Sequence, residues 1–100
     1  MKEILNKIHK AFENKTRLGI MSALVVNDQL DFNELKALLN ASDGNLASHL
    51  KSLEKYEFIL VNKQFIDRKP NTNYQLTEKG RAAFEKHLEA IEALIKMKNK

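Results

Sequence analysis

Residues 30–56 read Leu30-Asp31-Phe32-Asn33-Glu34-Leu35-Lys36-Ala37-Leu38-Leu39-Asn40-Ala41-Ser42-Asp43-Gly44-Asn45-Leu46-Ala47-Ser48-His49-Leu50-Lys51-Ser52-Leu53-Glu54-Lys55-Tyr56. The leucines divide this stretch into two helices. Leu35, Leu38 and Leu39 predict a short helix over 34–39 with all three side chains inward and Asn33 as its N-cap. Leu46, Leu50 and Leu53 stand at i, i+4 and i+7, which predicts a helix over 43–56 capped by Ser42. So short a break between two helices makes the pair a helix-turn-helix.

Upstream, Ile4, Leu5, Ile8, Ala11 and Phe12 recur at helical spacing and predict a first amphipathic helix over 2–12. Asn14 can cap a second helix over 15–26, where Leu18, Met21, Ala23, Leu24 and Val25 make a broad, mostly buried face. Gly19 in mid-helix costs about 1 kcal/mol relative to alanine, so it marks a close approach by a neighbour. Asn27 and Asp28 form a turn, and residues 30–32 suit a very short strand. Downstream, the period changes to two: Ile59, Val61, Lys63 and Phe65 share one strand face, and Leu60, Asn62 and Gln64 the other. A charged turn over 67–72 around Pro70 and a returning strand over 73–76 complete a β-hairpin. Thr77 then caps a last helix to about Lys98, roughly 30 Å long at 1.5 Å per residue. The expected fold is mainly α with a small β-hairpin, a winged helix-turn-helix with long terminal helices, in a single domain over 1–100.

Composition narrows the function classes. A hydrophobic fraction of 43% and a charged fraction of 30% suit a globular chain and exclude whole-chain disorder. The absence of cysteine excludes a disulfide scaffold, thiolate metal sites and cysteine nucleophiles. No apolar run approaches the roughly 20 residues of a membrane helix, and the charges at Lys2, Glu3, Lys7 and Lys10 break any signal-peptide core. A cytoplasmic protein with no membrane partner is expected. The net charge of +4 permits nucleic acid as a partner without demanding it. His9, His49 and His87 lie far apart on different elements, where each reads as a surface or rim histidine. No phosphate loop, nucleophile elbow or zinc motif occurs, so neither an enzyme, a cofactor nor a metal is expected.

The stretch Phe32-Asn33-Glu34-Leu35, then Ser42-Asp43-Gly44-Asn45-Leu46-Ala47-Ser48-His49-Leu50, then Leu53-Glu54, resembles the helix-turn-helix core of small winged-helix transcriptional regulators related to the MarR and ArsR groups. Lys63-Gln64-Phe65 and Lys69-Pro70-Asn71-Thr72-Asn73-Tyr74-Gln75-Leu76-Thr77-Glu78-Lys79-Gly80-Arg81-Ala82-Ala83-Phe84 are similar to the same family's wing and its leucine-threonine lead into the last helix. The likeness spans about residues 12–98. Relatives usually carry glycine where Glu57 and Asp67 stand here. If the backbone at Glu57 is left-handed, the side chain adds about 1 kcal/mol or more of strain.

The helix over 43–56 also has a reading of its own. Opposite its leucines it carries Asn45, Ser48, His49 and Ser52, with Lys51 and Lys55 at the flanks. Asparagine can pair a donor and an acceptor with adenine, and serine can meet several bases or a phosphate. Gly44 in the first turn permits close approach of a phosphate to free backbone amides. The DNA-reading set is therefore Gly44, Asn45, Ser48, His49, Lys51 and Ser52, with Asp43 compensating the helix dipole. In the wing, Arg68 suits a minor groove or phosphate, with Lys63 and Lys69 as backbone contacts, although Asp67 adds an opposing charge.

In the last helix Phe84, Leu88, Ile91 and Ile95, with Leu94 beside them, form a seam of coiled-coil spacing. With Ile4, Leu5, Ile8 and Phe12 of the first helix they are the expected homodimer interface, which the resemblance to homodimeric regulators also implies. The expected function is sequence-specific binding of double-stranded DNA by a homodimer. The alternative is a winged helix that binds protein and not DNA. The sequence names no small-molecule effector, and any such ligand would have to sit in the dimer cleft.

Overall fold

Leu46, Leu50 and Leu53 are all buried, and the core forms around them. The computed structural model describes residues 1–97, with elements α1 (Lys2–Leu5), a 3-10 turn (Lys10–Glu13), α2 (Lys15–Val26), β1 (Leu30–Asp31), α3 (Phe32–Leu39), α4 (Asp43–Lys55), β2 (Ile59–Ile66), β3 (Lys69–Leu76) and α5 (Glu78–Met97). The antiparallel sheet has the order β1-β3-β2. Ile20, Met21 and Leu24 of α2, Leu35 of α3 and the α4 leucines pack with Phe12, Phe58, Ile59, Tyr74 and Phe84 in one hydrophobic core. The end of α5 reaches past this body, and the described chain measures 59 × 25 × 21 Å. This is a winged helix-turn-helix, as expected. The expected end of the last helix at about Lys98 lies outside the described residues.

Three features differ from the sequence expectation. The first helix stops after Leu5 and gives way to tighter turns (Lys7 N to Ile4 O, 3.0 Å; Ile8 N to Leu5 O, 3.1 Å); His9 is then extended (φ −70°, ψ 140°) and its Nδ1 accepts the Ala11 amide at 3.0 Å, starting a separate 3-10 turn. Phe12 thereby turns inward onto Phe58 and Phe84. The N-cap of α3 is Asp31, not Asn33. Its Oδ1 accepts the Glu34 amide at 2.8 Å while Glu34 Oε1 accepts the Asp31 amide at 3.0 Å, a capping box that begins the helix at Phe32. Leu38, expected inward, is 61% exposed, since so short a helix buries only Leu35 fully.

The hairpin turn is also tighter than expected. Asp67 and Arg68 form it alone, with φ of 51° and 66°, and Lys69 already pairs with Ile66. Pro70 is therefore a strand residue opposite Phe65. It is tolerated because β1 pairs with β3 only at Asn73 and Tyr74, leaving one side of β3 open at Pro70, where the missing N–H breaks no ladder. On the outer sheet face an amide ladder fixes the register. Asn62 Nδ2 donates to Asn73 Oδ1 (3.2 Å) and Gln75 Oε1 (3.4 Å), and Asn71 Nδ2 donates to Asp31 Oδ2 (3.4 Å). Buried Asn73 is thus hydrogen-bonded in the middle of the sheet.

The end of α4 is a Schellman motif, in which Phe58 N donates to Leu53 O (3.0 Å) and Glu57 N to Glu54 O (2.9 Å), with Glu57 left-handed at φ 62°. The chain crosses itself at this point. Thr77 N donates to Phe58 O (3.1 Å), Thr77 Oγ1 donates to Glu57 O (2.6 Å), and the same hydroxyl accepts the Gly80 amide (2.9 Å), capping α5. A Cβ on Gly80 would fall on the Phe58 carbonyl group, a backbone atom set that α4 and β2 hold from both sides. Gly19 meets only the flexible Leu39 side chain, at 2.8 Å for an added Cβ.

Two substitutions at this crossing should act in opposite directions. Gly80→Ala should cost at least about 2 kcal/mol, because backbone must move to admit the methyl group. Glu57→Gly should gain about 1 kcal/mol by relieving left-handed strain. Urea unfolding of both variants measures this; a Gly80→Ala chain as stable as the wild type would contradict the crossing geometry.

Candidate nucleic-acid interface

The helix-turn-helix is assembled by local hydrogen bonds. Asn40 ends α3 in the left-handed region (φ 51°), which asparagine tolerates, and its amide bonds Lys36 O. Ser42 Oγ then accepts the Asn45 amide at 3.2 Å and starts α4. With the leucines of α4 inward, Gly44, Asn45, Ser48 and Lys51 are exposed on its outer side. Asp43 pairs with Lys36 of α3 at 2.7 Å, so its carboxylate faces a cation as well as the helix dipole. Both side chains are well exposed, and the pair adds at most about 1 kcal/mol.

Two of the six expected helix residues are partly engaged within the protein. Ser52 Oγ donates back to Ser48 O at 3.2 Å and is half-buried. His49 Nδ1 lies 3.4 Å from Arg17 Nη1, and burial, followed by the Arg17 charge, lowers its pKa, so the ring is neutral at pH 7. The Nδ1 atom then accepts from the guanidinium. Sequence reading missed Arg17. Its Nε donates to Ala11 O at 2.9 Å and its Nη2 to Lys10 O at 3.4 Å, so one side chain ties the 3-10 turn to the reading helix. The signal available was an arginine in the first turn of α2, a place where the dipole favours no cation.

The wing leaves directly from the Schellman end of α4. Lys63, Arg68 and Lys69 are all exposed along it. They bring three positive charges to the hairpin end against one from Asp67. Phe65 is 77% exposed at the same end, although its strand neighbours Ile59 and Val61 pack on the core. The reading helix and the wing therefore present short polar groups and cations together, the combination suited to base edges and phosphates.

Of the eight residues expected at a dimer interface, Phe12 is instead in the core, stacked 6.0 Å from Phe58 and edge-on to Phe84. Phe84, expected in the seam, is likewise buried. The face of α5 that covers the body carries Gly80, Phe84, His87 and Ala90. Leu5, Leu88, Ile91 and Ile95 remain exposed, and Ile4, Ile8 and Leu94 are half-buried. A cavity of about 360 Å³ between α1 and α5 is lined by Ile4, Lys7, Lys86, Glu89, Ala90 and Ala93. Beside it a wider cleft of about 550 Å³ sets Lys7, Lys55, Lys79 and Lys86 around His9, Tyr56 and Phe58. Among the described residues no cluster of histidines and acids could hold a metal, and no helix is long and apolar enough to cross a membrane.

Residues 16–95 match the family of winged helix DNA-binding domains. The chain belongs to this family. An uncharacterized protein of Methanocaldococcus jannaschii, MJ0432, is 38% identical over 87 residues, covering 87% of this chain and 95% of its own. The solved structure of a transcriptional regulator homologue from Pyrococcus horikoshii superposes with a TM-score of 0.87 at 30% identity, covering 98% of this chain and 99% of that one. YusO of Bacillus subtilis shares the fold at a TM-score of 0.78 and 18% identity, with 96% of this chain and 70% of that one covered. Family and fold point to a transcriptional regulator, not an enzyme.

The histidines correct one further expectation. His87 is not at the rim but only 6% exposed, packed 4.8 Å from the Phe12 ring with its Nδ1 unpartnered. Burial lowers its pKa. Burial, with Lys10 and Lys79, also lowers that of His9, whose ring lies edge-on to Tyr56 and Phe58. A histidine held neutral in the fold binds fewer protons than in the unfolded chain. Its contribution is full above the ordinary value of 6.5 and is lost as pH falls below it. Thermal unfolding should therefore show a melting temperature that falls from pH 7.5 to pH 5, and His87→Leu should flatten that fall. An equal fall in the variant would mean that His87 is not the group being protonated.

Proposed function

We propose that the chain binds duplex DNA sequence-specifically as a homodimer, with α4 in the major groove and the β2–β3 wing on the flanking groove or backbone. The observation that carries this reading is the division of α4: Leu46, Leu50 and Leu53 are buried, while Gly44, Asn45, Ser48 and Lys51 are exposed beside a cationic hairpin. Asn45 and Ser48 read base edges, and Lys51, Lys63, Arg68 and Lys69 hold phosphates or, for Arg68, the minor groove. His49 and Ser52 act at the edge of this surface. The Arg17 guanidinium, which can only donate, engages the Nδ1 side of the imidazole and leaves its Nε2 without a partner among the described residues.

The homodimer reading rests on the exposed apolar residues of α1 and α5. Leu5, Leu88, Ile91 and Ile95 are exposed apolar side chains that a second copy can cover, and Ile4, Ile8 and Leu94 are half-buried in the same two segments of the chain. A two-fold pair of such chains presents its reading helices about 34 Å apart, one turn of duplex. A regulator of this kind works in the cytoplasm, where DNA is accessible to it, and its site would be an inverted repeat.

The test separates readout, positioning and assembly. Asn45→Ala or Ser48→Ala should lose about 1–3 kcal/mol of discrimination between selected and random duplex, whereas Lys69→Ala should weaken both alike. Ile91→Glu puts a carboxylate into the dimer seam, so the chain should stay folded, sediment as a monomer and lose affinity for a two-half-site duplex. Equal losses on both duplexes for the α4 variants would show that this face reads no bases. A stable heteromeric protein partner with no salt-dependent DNA binding would favour the protein-binding alternative.

A further inference from the structure

Phe65 is the most exposed of the large apolar side chains outside α2 on the described chain, at 77%, and nothing in the fold requires it there. It shares its strand face with Ile59 and Val61, but the core ends with the Val61–Tyr74 pair, and Phe65 stands four residues further out, roughly 13 Å at the rise of a strand. Pro70 lies directly across from it, so the end of this face is a rigid apolar edge. The two-residue turn at Asp67 and Arg68 and the amide ladder below hold the hairpin in one register. Lys63 lies two residues back on the same face, and Arg68 and Lys69 close the tip.

We propose that Phe65 is a wedge that enters the duplex between two base pairs at the flank of the site and bends it there. An exposed aromatic ring with Lys63 two residues back on its own face, Arg68 in the turn and Lys69 on the opposite face of the tip fits a partner that is apolar between its bases and anionic outside them. A protein partner would need acids to meet the same three cations. Apolar side chains inserted at a base step unstack it and kink the duplex, and pyrimidine–purine steps yield most easily. Phe65 therefore supplies specificity by deformability, at base pairs that no hydrogen bond of the wing reads. The inference rests on the DNA-binding reading and deepens it.

The experiment uses the full chain and a duplex that it enriches from a random pool, made in two versions with TA or AA steps flanking the half-sites. End-to-end energy transfer reads the bend, and titration reads affinity. The wild type should bend the TA version and bind it about tenfold tighter than the AA version, a difference in the range of one base–aromatic stack. Phe65→Ala should abolish both the bend and the preference with its melting temperature unchanged, Phe65→Leu should keep part of each, and Lys69→Ala should weaken both versions equally. Bending and preference unaltered in Phe65→Ala would overturn the wedge while leaving DNA binding intact. So would a Phe65→Ala chain that loses self-association but not bending, since the ring would then be covered by a second copy. A wild-type chain that enriches no duplex would overturn the DNA reading and the wedge together.

Discussion

The structure depends on a crossing of four residues. At Glu57 and Phe58 the reading helix ends and the wing begins; at Thr77 and Gly80 the wing ends and the last helix begins; the Thr77 hydroxyl and amide bond the Glu57 and Phe58 carbonyls directly. Gly80 permits this by bringing bare backbone against the Phe58 carbonyl. The helix proposed to read DNA and the helix proposed to form the dimer face are joined here through hydrogen bonds to backbone carbonyls. The strain at Glu57 belongs to the same crossing, because a left-handed residue is what turns the chain from helix into strand.

Side chains reinforce this joint from the opposite end. Arg17 holds the 3-10 turn with two hydrogen bonds and His49 of α4 with a third. Phe12 fills the space between Phe58, Phe84 and His87, so the segment leading from α1 is bound to the core next to the crossing. The unpartnered Nδ1 of His87 lies at this point. A buried imidazole without a partner stays neutral at a cost that falls on acid stability, and its ring lies tilted against Phe12 and Phe84.

Much of this was legible in the sequence, and the rest was hidden for identifiable reasons. The α2 bounds, the Asn14 and Ser42 caps, the buried leucines of α4, the hairpin and the Thr77 cap follow from periodicity and short-range hydrogen bonding, which a single sequence carries. The Asp31–Glu34 capping box was also visible as an acid three residues before a glutamate, but Asn33 offered a competing cap nearer the leucines. The break at His9 was not visible, because a ring nitrogen accepting an amide two residues on leaves the apolar spacing of 4, 8 and 12 looking helical. In the predicted α5 seam, Phe84 is the member that the fold itself takes up. Phe84 continues the spacing of Leu88, Ile91 and Ile95, yet it packs on the core, since the body itself takes the nearest apolar row before any partner does. Among the interface residues Arg17 was missed because its role depends on a tertiary contact with α4, 32 residues away.

The central claim is that two copies of α4, held one helical turn apart by α1 and α5, read a symmetric site with help from the wings. Selection of duplexes from a random pool by the wild-type chain at several salt concentrations tests it most directly. The account predicts an inverted repeat with half-site centres about 10 base pairs apart, occupied by two chains, with affinity that falls steeply as salt rises. Enriched sites without symmetry, bound by one chain at any concentration, would contradict it.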